Sequence, residues 1–234
     1  MKKVFYAEAN YSEEEIKSVL DVLNNNRLAL MCGQNVKKLE DKIAKIFNKE
    51  FGLMTNSGSS ANLIGVQSLQ LEKGSKVITP ALTFSTTVSP LVQSGLIPLF
   101  IDVEKETMQM NTSLLKEIPL EGVSAICVPN LIGNVANWEE IYQFAKENNL
   151  KTIEDSADTI GYKYKTDIKN CSDVSTTSFY ASHVVTGAGF GGMTCFSDKE
   201  NYDLGLSLRG WGRRSSLYGE TEDYERRFNT KIDG

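Results

Sequence analysis

The sequence contains few of the residues that mark nucleic-acid, metal, membrane or disulfide-rich proteins. Its 234 residues include only one histidine and four cysteines, and the formal net charge is -5. The cysteines, Cys32, Cys127, Cys171 and Cys195, are scattered and form no CxxC pair, which argues against zinc binding and against a disulfide framework. The mild acidity provides no basic surface for nucleic acid or for an anionic membrane.

The sequence also lacks long apolar runs. None approaches the ~20 residues of a membrane span, and the first ten residues contain no apolar segment of a secretory signal. Hydrophobic residues make up 41% and charged residues 24% of the chain, values that are typical of globular proteins. We therefore expect a cytoplasmic enzyme with one α/β domain.

The hydrophobic pattern alternates between strands and helices. Ser12 and Glu15 form a capping box at the start of a first helix, and a second helix carries apolar residues from Val36 to Ile46. Helices are also predicted at 59–71, from about 86, and at 137–149. Apolar runs predict strands at 51–55, 76–80, 96–102, 123–129, 151–155, 175–180 and 192–197. This order predicts a mostly parallel sheet between helices, with a site at the carboxyl ends of its strands.

Two polar segments follow early strands. Residues 56–61, Asn-Ser-Gly-Ser-Ser-Ala, come before a helix, where small residues and the helix N-terminus favour an anion such as phosphate. Phe84 lies in the segment 80–87 after the next strand, where its ring could stack on a flat cofactor. Taken alone, the first is more typical of an ordinary helix cap, and Phe84 is more typical of a core residue.

Two later segments carry ionisable groups. Asp155 and Asp158 end a buried strand in the sequence Glu-Asp-Ser-Ala-Asp, and a protonated pyridine nitrogen would be a natural partner for such a carboxylate. His183 closes the segment Ser-Phe-Tyr-Ala-Ser-His, before a glycine-rich stretch at 187–193. Taken alone, the acids could be loop residues or a helix cap, the histidine could be structural, and the glycines could form a hairpin.

The four segments, in this order, resemble the DegT/DnrJ/EryC1/StrS family of pyridoxal-phosphate-dependent sugar aminotransferases. The resemblance runs from the N-terminal helices to residues 207–212 and implies the large domain of the aspartate aminotransferase-like fold, fold type I. It implies that Phe84 stacks on the pyridine ring, that Asp155 pairs with the ring nitrogen, and that Asp158 lies near the ring hydroxyl. The phosphate of the cofactor would be held by Gly58, Ser59 and Ser178.

The sequence departs from the aminotransferase pattern at His183, where those enzymes carry the lysine that bonds covalently to the cofactor. Imidazole forms no stable bond of this kind, yet it transfers protons near neutral pH. The substitution resembles the 3-dehydratase branch of the family, which acts on nucleotide-linked 4-keto-6-deoxysugars. That resemblance implies that pyridoxamine phosphate condenses with the sugar's keto group, that His183 removes a proton, and that the 3-hydroxyl leaves.

The resemblance also has implications for partners and extent. Residues 213–234 contain no cysteine for an iron–sulfur cluster, which favours L-glutamate as the amino donor that restores pyridoxamine phosphate. We expect residues 1–234 to form one cofactor-binding large domain, with N-terminal helices at 1–50, an α/β core at 51–212 and, from 213, the start of a connection to an absent C-terminal part. We also expect a homodimer. A nucleotide-sugar aminotransferase and an inactive, truncated remnant remain alternatives.

Overall fold

The computed structural model describes residues 3–5, 8–25, 30, 32–162 and 171–218. Within these ranges the chain forms six α-helices and seven β-strands. The helices are α1 (Glu13–Asn25), α2 (Gln34–Ile46), α3 (Gly58–Ser68), α4 (Ser85–Gln93), α5 (Trp138–Glu147) and α6 (Lys199–Arg209). The strands are β1 (Phe51–Thr55), β2 (Lys76–Pro80), β3 (Ile97–Ile101), β4 (Val123–Pro129), β5 (Lys151–Asp155), β6 (Val174–Ser178) and β7 (Gly192–Phe196).

The seven strands form one sheet in the order β1-β7-β6-β5-β4-β2-β3. Strands β2 to β6 run parallel, and β7 runs antiparallel to both of its neighbours, β6 and β1. The predicted mostly parallel sheet is confirmed. Strand β7 reverses direction because it follows β6 through a loop alone, whereas the parallel pairs require crossover connections.

Helices cover both faces of the sheet. On one face, α3, α4 and α6 pack against a core that includes Val66, Leu91 and Val174. On the other face, α5 packs through Trp138 and Ile141, and α2 packs through Ile43 against β7. Burial of each large apolar side chain stabilises this arrangement by about 1.5–3 kcal/mol. Helices α3 and α4 follow β1 and β2 and begin at the end of the sheet where the parallel strands end, whereas α6 follows the antiparallel β7 and begins at the opposite end.

Helix α1 forms as the capping box predicts but buries none of its residues. The Ser12 N–H donates to Glu15 Oε2 at 2.6 Å, and the Glu14 N–H donates to Ser12 Oγ at 3.2 Å. The hydrogen bonds from Ser12 lower the pKa of the Glu15 carboxyl. No helix in the described ranges is long and apolar enough to cross a membrane.

The final segment is described only in part. The predicted connection at 213–234 lies outside the described residues from 219 onward. The part that is described ends in a short 3-10 helix, Arg214–Tyr218. The predicted division of the chain at residues 50 and 212 stays a prediction.

Candidate functional site

Three of the candidate residues meet where two parallel strands end. Asp155 is the last residue of β5, Ser178 is the last residue of β6, and Gly58 is the first residue of α3. Helix α3 begins so close to β6 that a Cβ placed on Gly58 would lie 2.7 Å from the Ser178 Cβ. Only glycine allows this approach without displacing the strand.

The start of α3 presents backbone N–H groups beside Ser178. Ser57 caps the helix, and its Oγ accepts the N–H of Ser60 at 3.1 Å. The N–H groups of Gly58 and Ser59 come earlier in the first turn, where no carbonyl of the helix can accept them. The helix dipole adds positive potential at this end. The position is therefore suited to a phosphate group, as the family resemblance implies for Gly58, Ser59 and Ser178.

Asp155 is a buried carboxylate that other side chains hold in place. Its Oδ2 accepts hydrogen bonds from Asn62 Nδ2 and Thr87 Oγ1, both at 2.8 Å, and its Oδ1 accepts the N–H of Ala157 at 3.2 Å. Burial raises the pKa of this carboxyl, and the hydrogen bonds from Thr87 and Asn62 counter the rise.

The hydrogen bonds of Asp155 leave room for a further donor. A carboxylate has about four acceptor positions, and three hydrogen bonds reach Asp155 within the described part of the chain. A cationic N–H donor, such as a protonated pyridine nitrogen, would fill the remaining position and compensate the buried negative charge. The carboxylate therefore fits the ring-nitrogen role that the sequence predicts for it.

The sequence analysis missed Asn62 and Thr87, the two side chains that hold Asp155. A signal for Asn62 exists, because it is a polar residue on the face of α3 that also buries Ala61, Gly65 and Val66. An amide on a buried helical face requires a hydrogen-bonding partner. Thr87 gives no comparable signal, since a threonine is common in the first turns of helices.

Phe84 lies one turn before Thr87 and precedes helix α4. It is the N-cap residue of that helix, and the residue is 69% exposed, which is unusual for a phenylalanine unless something covers it. Thr83 Oγ1 donates to Thr87 Oγ1 at 2.9 Å, which connects this segment to Asp155. The stacking role of Phe84 stays a prediction, and the exposed ring is compatible with it.

His183 lies on the loop that joins β6 to β7. The loop is closed on itself by the Gly187 N–H, which donates to the Phe179 carbonyl at 2.8 Å, and by the His183 N–H, which donates to the Tyr180 carbonyl at 3.0 Å. The side chain of His183 is 20% exposed, and its Nδ1 lies 3.7 Å from Asp158 Oδ1. Thus the structure brings together two residues that the sequence analysis named for separate roles.

Glu154 precedes Asp155 and points to the opposite face of the sheet, because successive residues of a strand alternate. Its carboxylate accepts hydrogen bonds from the side chains of Asn130, Ser156, Ser172 and Ser175. The buried Lys49 lies near this group, and its burial lowers the pKa of its ammonium. This polar network holds the ends of β4, β5 and β6 together beneath the candidate site.

Comparison with known proteins gives a family match over most of the chain. The model of the DegT/DnrJ/EryC1/StrS aminotransferase family matches residues 9–233. A dTDP-4-dehydro-2,6-dideoxy-D-glucose 3-dehydratase from Saccharopolyspora spinosa is 36% identical over 195 residues, which are 80% of this chain and 42% of that protein. A GDP-4-keto-6-deoxy-D-mannose 3-dehydratase from Escherichia coli O55:H7 is 31% identical over 217 residues, which are 88% of this chain and 55% of that protein.

A solved structure agrees with the fold. The crystal structure of a GDP-4-keto-6-deoxymannose-3-dehydratase with a trapped PLP-glutamate geminal diamine has a TM-score of 0.88 and 27% identity, and the match covers 99% of this chain and 63% of that one. The predicted fold type I large domain is confirmed. The chain spans about half the length of the curated relatives that it matches.

Proposed function

The chain belongs to the DegT/DnrJ/EryC1/StrS aminotransferase family, and we propose that it binds pyridoxal and pyridoxamine phosphate and dehydrates a nucleotide-linked 4-keto-6-deoxyhexose at carbon 3. The observation that carries the proposal is His183, which lies beside Asp158 on the loop after β6. Aminotransferases with this pattern carry lysine at the same point. Two relatives with 31% and 36% identity are 3-dehydratases by name.

We expect the cofactor to bind where the parallel strands β5 and β6 end. The first N–H groups of α3 and the Ser178 hydroxyl hold the phosphate, and Phe84 covers one side of the ring. Asp155 holds the ring nitrogen in its protonated form, which keeps the ring electron-poor. The buried carboxylate supports this step most directly, because its uncompensated charge is costly without a cationic partner.

Proton transfer is the role that we propose for His183. When bound, pyridoxamine phosphate would supply an amine that reacts with the keto group and a ring that accepts the resulting negative charge. The imidazole of His183 would take a proton from the carbon next to that amine and would return a proton to the departing 3-hydroxyl group. Because imidazole makes no lasting bond to the cofactor, we expect no covalent link between the cofactor and residue 183.

The proposal extends to the partners of the reaction. L-glutamate restores the amine form, as the trapped PLP-glutamate species of the related dehydratase suggests. We expect a homodimer, since sites in this family lie at a two-fold interface. We also expect the protein to be cytoplasmic. The length of the relatives makes the activity of residues 1–234 the point to test first.

The experiment begins with the purified chain, pyridoxal phosphate and excess L-glutamate. We expect tightly bound pyridoxamine phosphate, release of 2-oxoglutarate, and no covalent lysine adduct after borohydride reduction. Addition of GDP- or dTDP-linked 4-keto-6-deoxyhexose should then yield a 3-deoxy sugar and ammonia. Binding without sugar conversion would contradict the dehydratase, and a lysine adduct would instead support an aminotransferase.

Two variants of the same residue provide the control. His183→Asn keeps a polar side chain of similar size, so we expect cofactor binding to persist while dehydration falls by about 100-fold or more, the contribution of a general base. His183→Lys should form the reducible adduct and lose dehydration. If His183→Asn dehydrates the sugar at the wild-type rate, His183 is not the base.

A further inference from the structure

A strained residue faces the candidate site from the loop after β4. Ile132 has φ 53° and ψ 36°, in the left-handed region that costs a β-branched residue about 1–2 kcal/mol. The residue is 68% exposed, so packing does not compensate the strain. Its N–H donates to Asp158 Oδ2 at 3.0 Å. The strained backbone therefore aims a donor at one oxygen of Asp158.

Hydrogen bonds fix the two residues that precede Ile132 in this loop. Asn130 is 2% exposed, and its Oδ1 accepts the indole N–H of Trp138 at 2.9 Å. The amide of Gln109 bonds both backbone groups of Leu131, at 3.2 Å to the N–H and 3.0 Å to the carbonyl. Since the residues before Ile132 are held in this way, its N–H is directed before any ligand binds.

The other oxygen of Asp158 faces the imidazole. Asp158 Oδ1 lies 3.7 Å from His183 Nδ1, slightly beyond hydrogen-bond length. Contacts of this kind commonly tighten when a site is occupied. A carboxylate next to Nδ1 favours a proton on Nδ1, which leaves the lone pair on Nε2.

We propose that Asp158, anchored by the Ile132 N–H, is a positioning residue that fixes the orientation and tautomer of His183, so that Nε2 is the atom that accepts the proton. During transfer, the proton moves to the Nε2 lone pair, and the Asp158 carboxylate stabilises the imidazolium that forms. The catalytic meaning of this arrangement rests on the proposed function, whereas the tautomer does not. The role is separate from the contact with the ring hydroxyl that the family resemblance implies for Asp158.

The tautomer of His183 can be measured without overlapping histidine signals, because His183 is the only histidine in the sequence. Protein labelled with nitrogen-15 histidine and purified without a histidine tag gives the two ring nitrogens of this residue alone. With the imidazole neutral and no cofactor present, we expect the Nδ1–H form in roughly tenfold excess, the ratio that a hydrogen bond of about 1.4 kcal/mol produces. A wild-type spectrum with the proton mainly on Nε2 would overturn the proposal without any variant.

Asp158→Asn makes the prediction sharper. Its amide oxygen is needed by the Ile132 N–H, so its NH2 group faces Nδ1 and forces that nitrogen to accept. We therefore expect the tautomer ratio to invert in favour of Nε2–H. Asp102→Asn is the matched control, since Asp102 also accepts a backbone N–H, from Val103 at 2.8 Å, on an exposed loop; it should leave the ratio unchanged.

The outcomes separate the two proposals. An unchanged ratio in Asp158→Asn would exclude the positioning role even if the chain dehydrates sugars. An inverted ratio in a chain without sugar conversion would support the positioning role and reject the dehydratase. Thermal unfolding of both variants tells whether they fold, and the wild-type spectrum decides the question if Asp158→Asn does not.

Discussion

Replacement of Asp155 by asparagine should stabilise the cofactor-free chain and impair cofactor binding. The change removes a buried negative charge whose desolvation costs several kcal/mol. The amide oxygen can still accept from Asn62 and Thr87, but the NH2 group opposes the Ala157 N–H, a loss of about 1 kcal/mol. Two charge-assisted bonds also become neutral, at roughly 1 kcal/mol each.

Together, these terms predict that Asp155→Asn raises the free energy of unfolding of the cofactor-free chain by about 1–2 kcal/mol. For a chain of this size, that corresponds to a rise in Tm of about 2–8 °C. Cofactor affinity should fall by about 100-fold or more, since the ring nitrogen loses its charged partner. Calorimetric unfolding of the cofactor-free protein and titration with pyridoxamine phosphate measure the two effects separately.

The stability difference between Asp155→Asn and wild type should depend on pH. Burial raises the pKa of Asp155 above its ordinary 3.8, so the folded state holds the proton more tightly than the unfolded state does. Asp155 therefore contributes fully to the stability of the wild type at low pH. This contribution is lost as pH rises through the pKa of Asp155 in the folded state. The stability advantage of Asp155→Asn should be largest at about pH 8 and shrink on acidification.

A control variant and a clear refutation follow from the same structure. Asp102→Asn, on an exposed loop, should change neither Tm nor cofactor affinity by a measurable amount. If Asp155→Asn were less stable than wild type at about pH 8, the buried carboxylate would be stabilising. If the stability difference did not depend on pH, folding would not raise the pKa of Asp155. The reasoning on ring-nitrogen pairing would then lose its energetic basis.

Two further predictions concern backbone positions. Gly58→Ala places a methyl group 2.7 Å from the Ser178 Cβ, so we expect the free energy of unfolding to fall by about 1–3 kcal/mol and inorganic phosphate to bind more weakly. Urea unfolding and phosphate titration measure the two effects. Unchanged values for both would show that α3 can move away freely. Ile132→Gly keeps the N–H that Asp158 accepts but relieves the left-handed strain. We therefore expect the free energy of unfolding to rise by about 0.5–1 kcal/mol, with the His183 tautomer unchanged. A loss of stability would contradict the strain at Ile132.

The sequence predicts the sheet and the candidate site better than it predicts what holds the site. Short apolar runs located all seven strands, and Asp155 was expected at a strand end, where it lies. Strand β6 ends at Ser178 rather than at 180, because the backbone of Phe179 turns into the loop that carries His183. The contacts of Asn62 and Thr87 with Asp155 span 93 and 68 residues, and local spacing cannot reveal such distant partners.

The adjacent acids Glu154 and Asp155 illustrate why a motif alone does not assign roles. Both are buried at the end of β5, and strand geometry sends them to opposite faces. Glu154 receives four side-chain hydrogen bonds and lies near the buried Lys49, so its charge is satisfied within the protein. Asp155 receives only three hydrogen bonds in the described structure, and burial raises its pKa. Of two neighbouring carboxylates, the one with an acceptor position to spare is the one that can bind a cationic ligand, which is the physical reason to place the cofactor on the α3 face of the sheet.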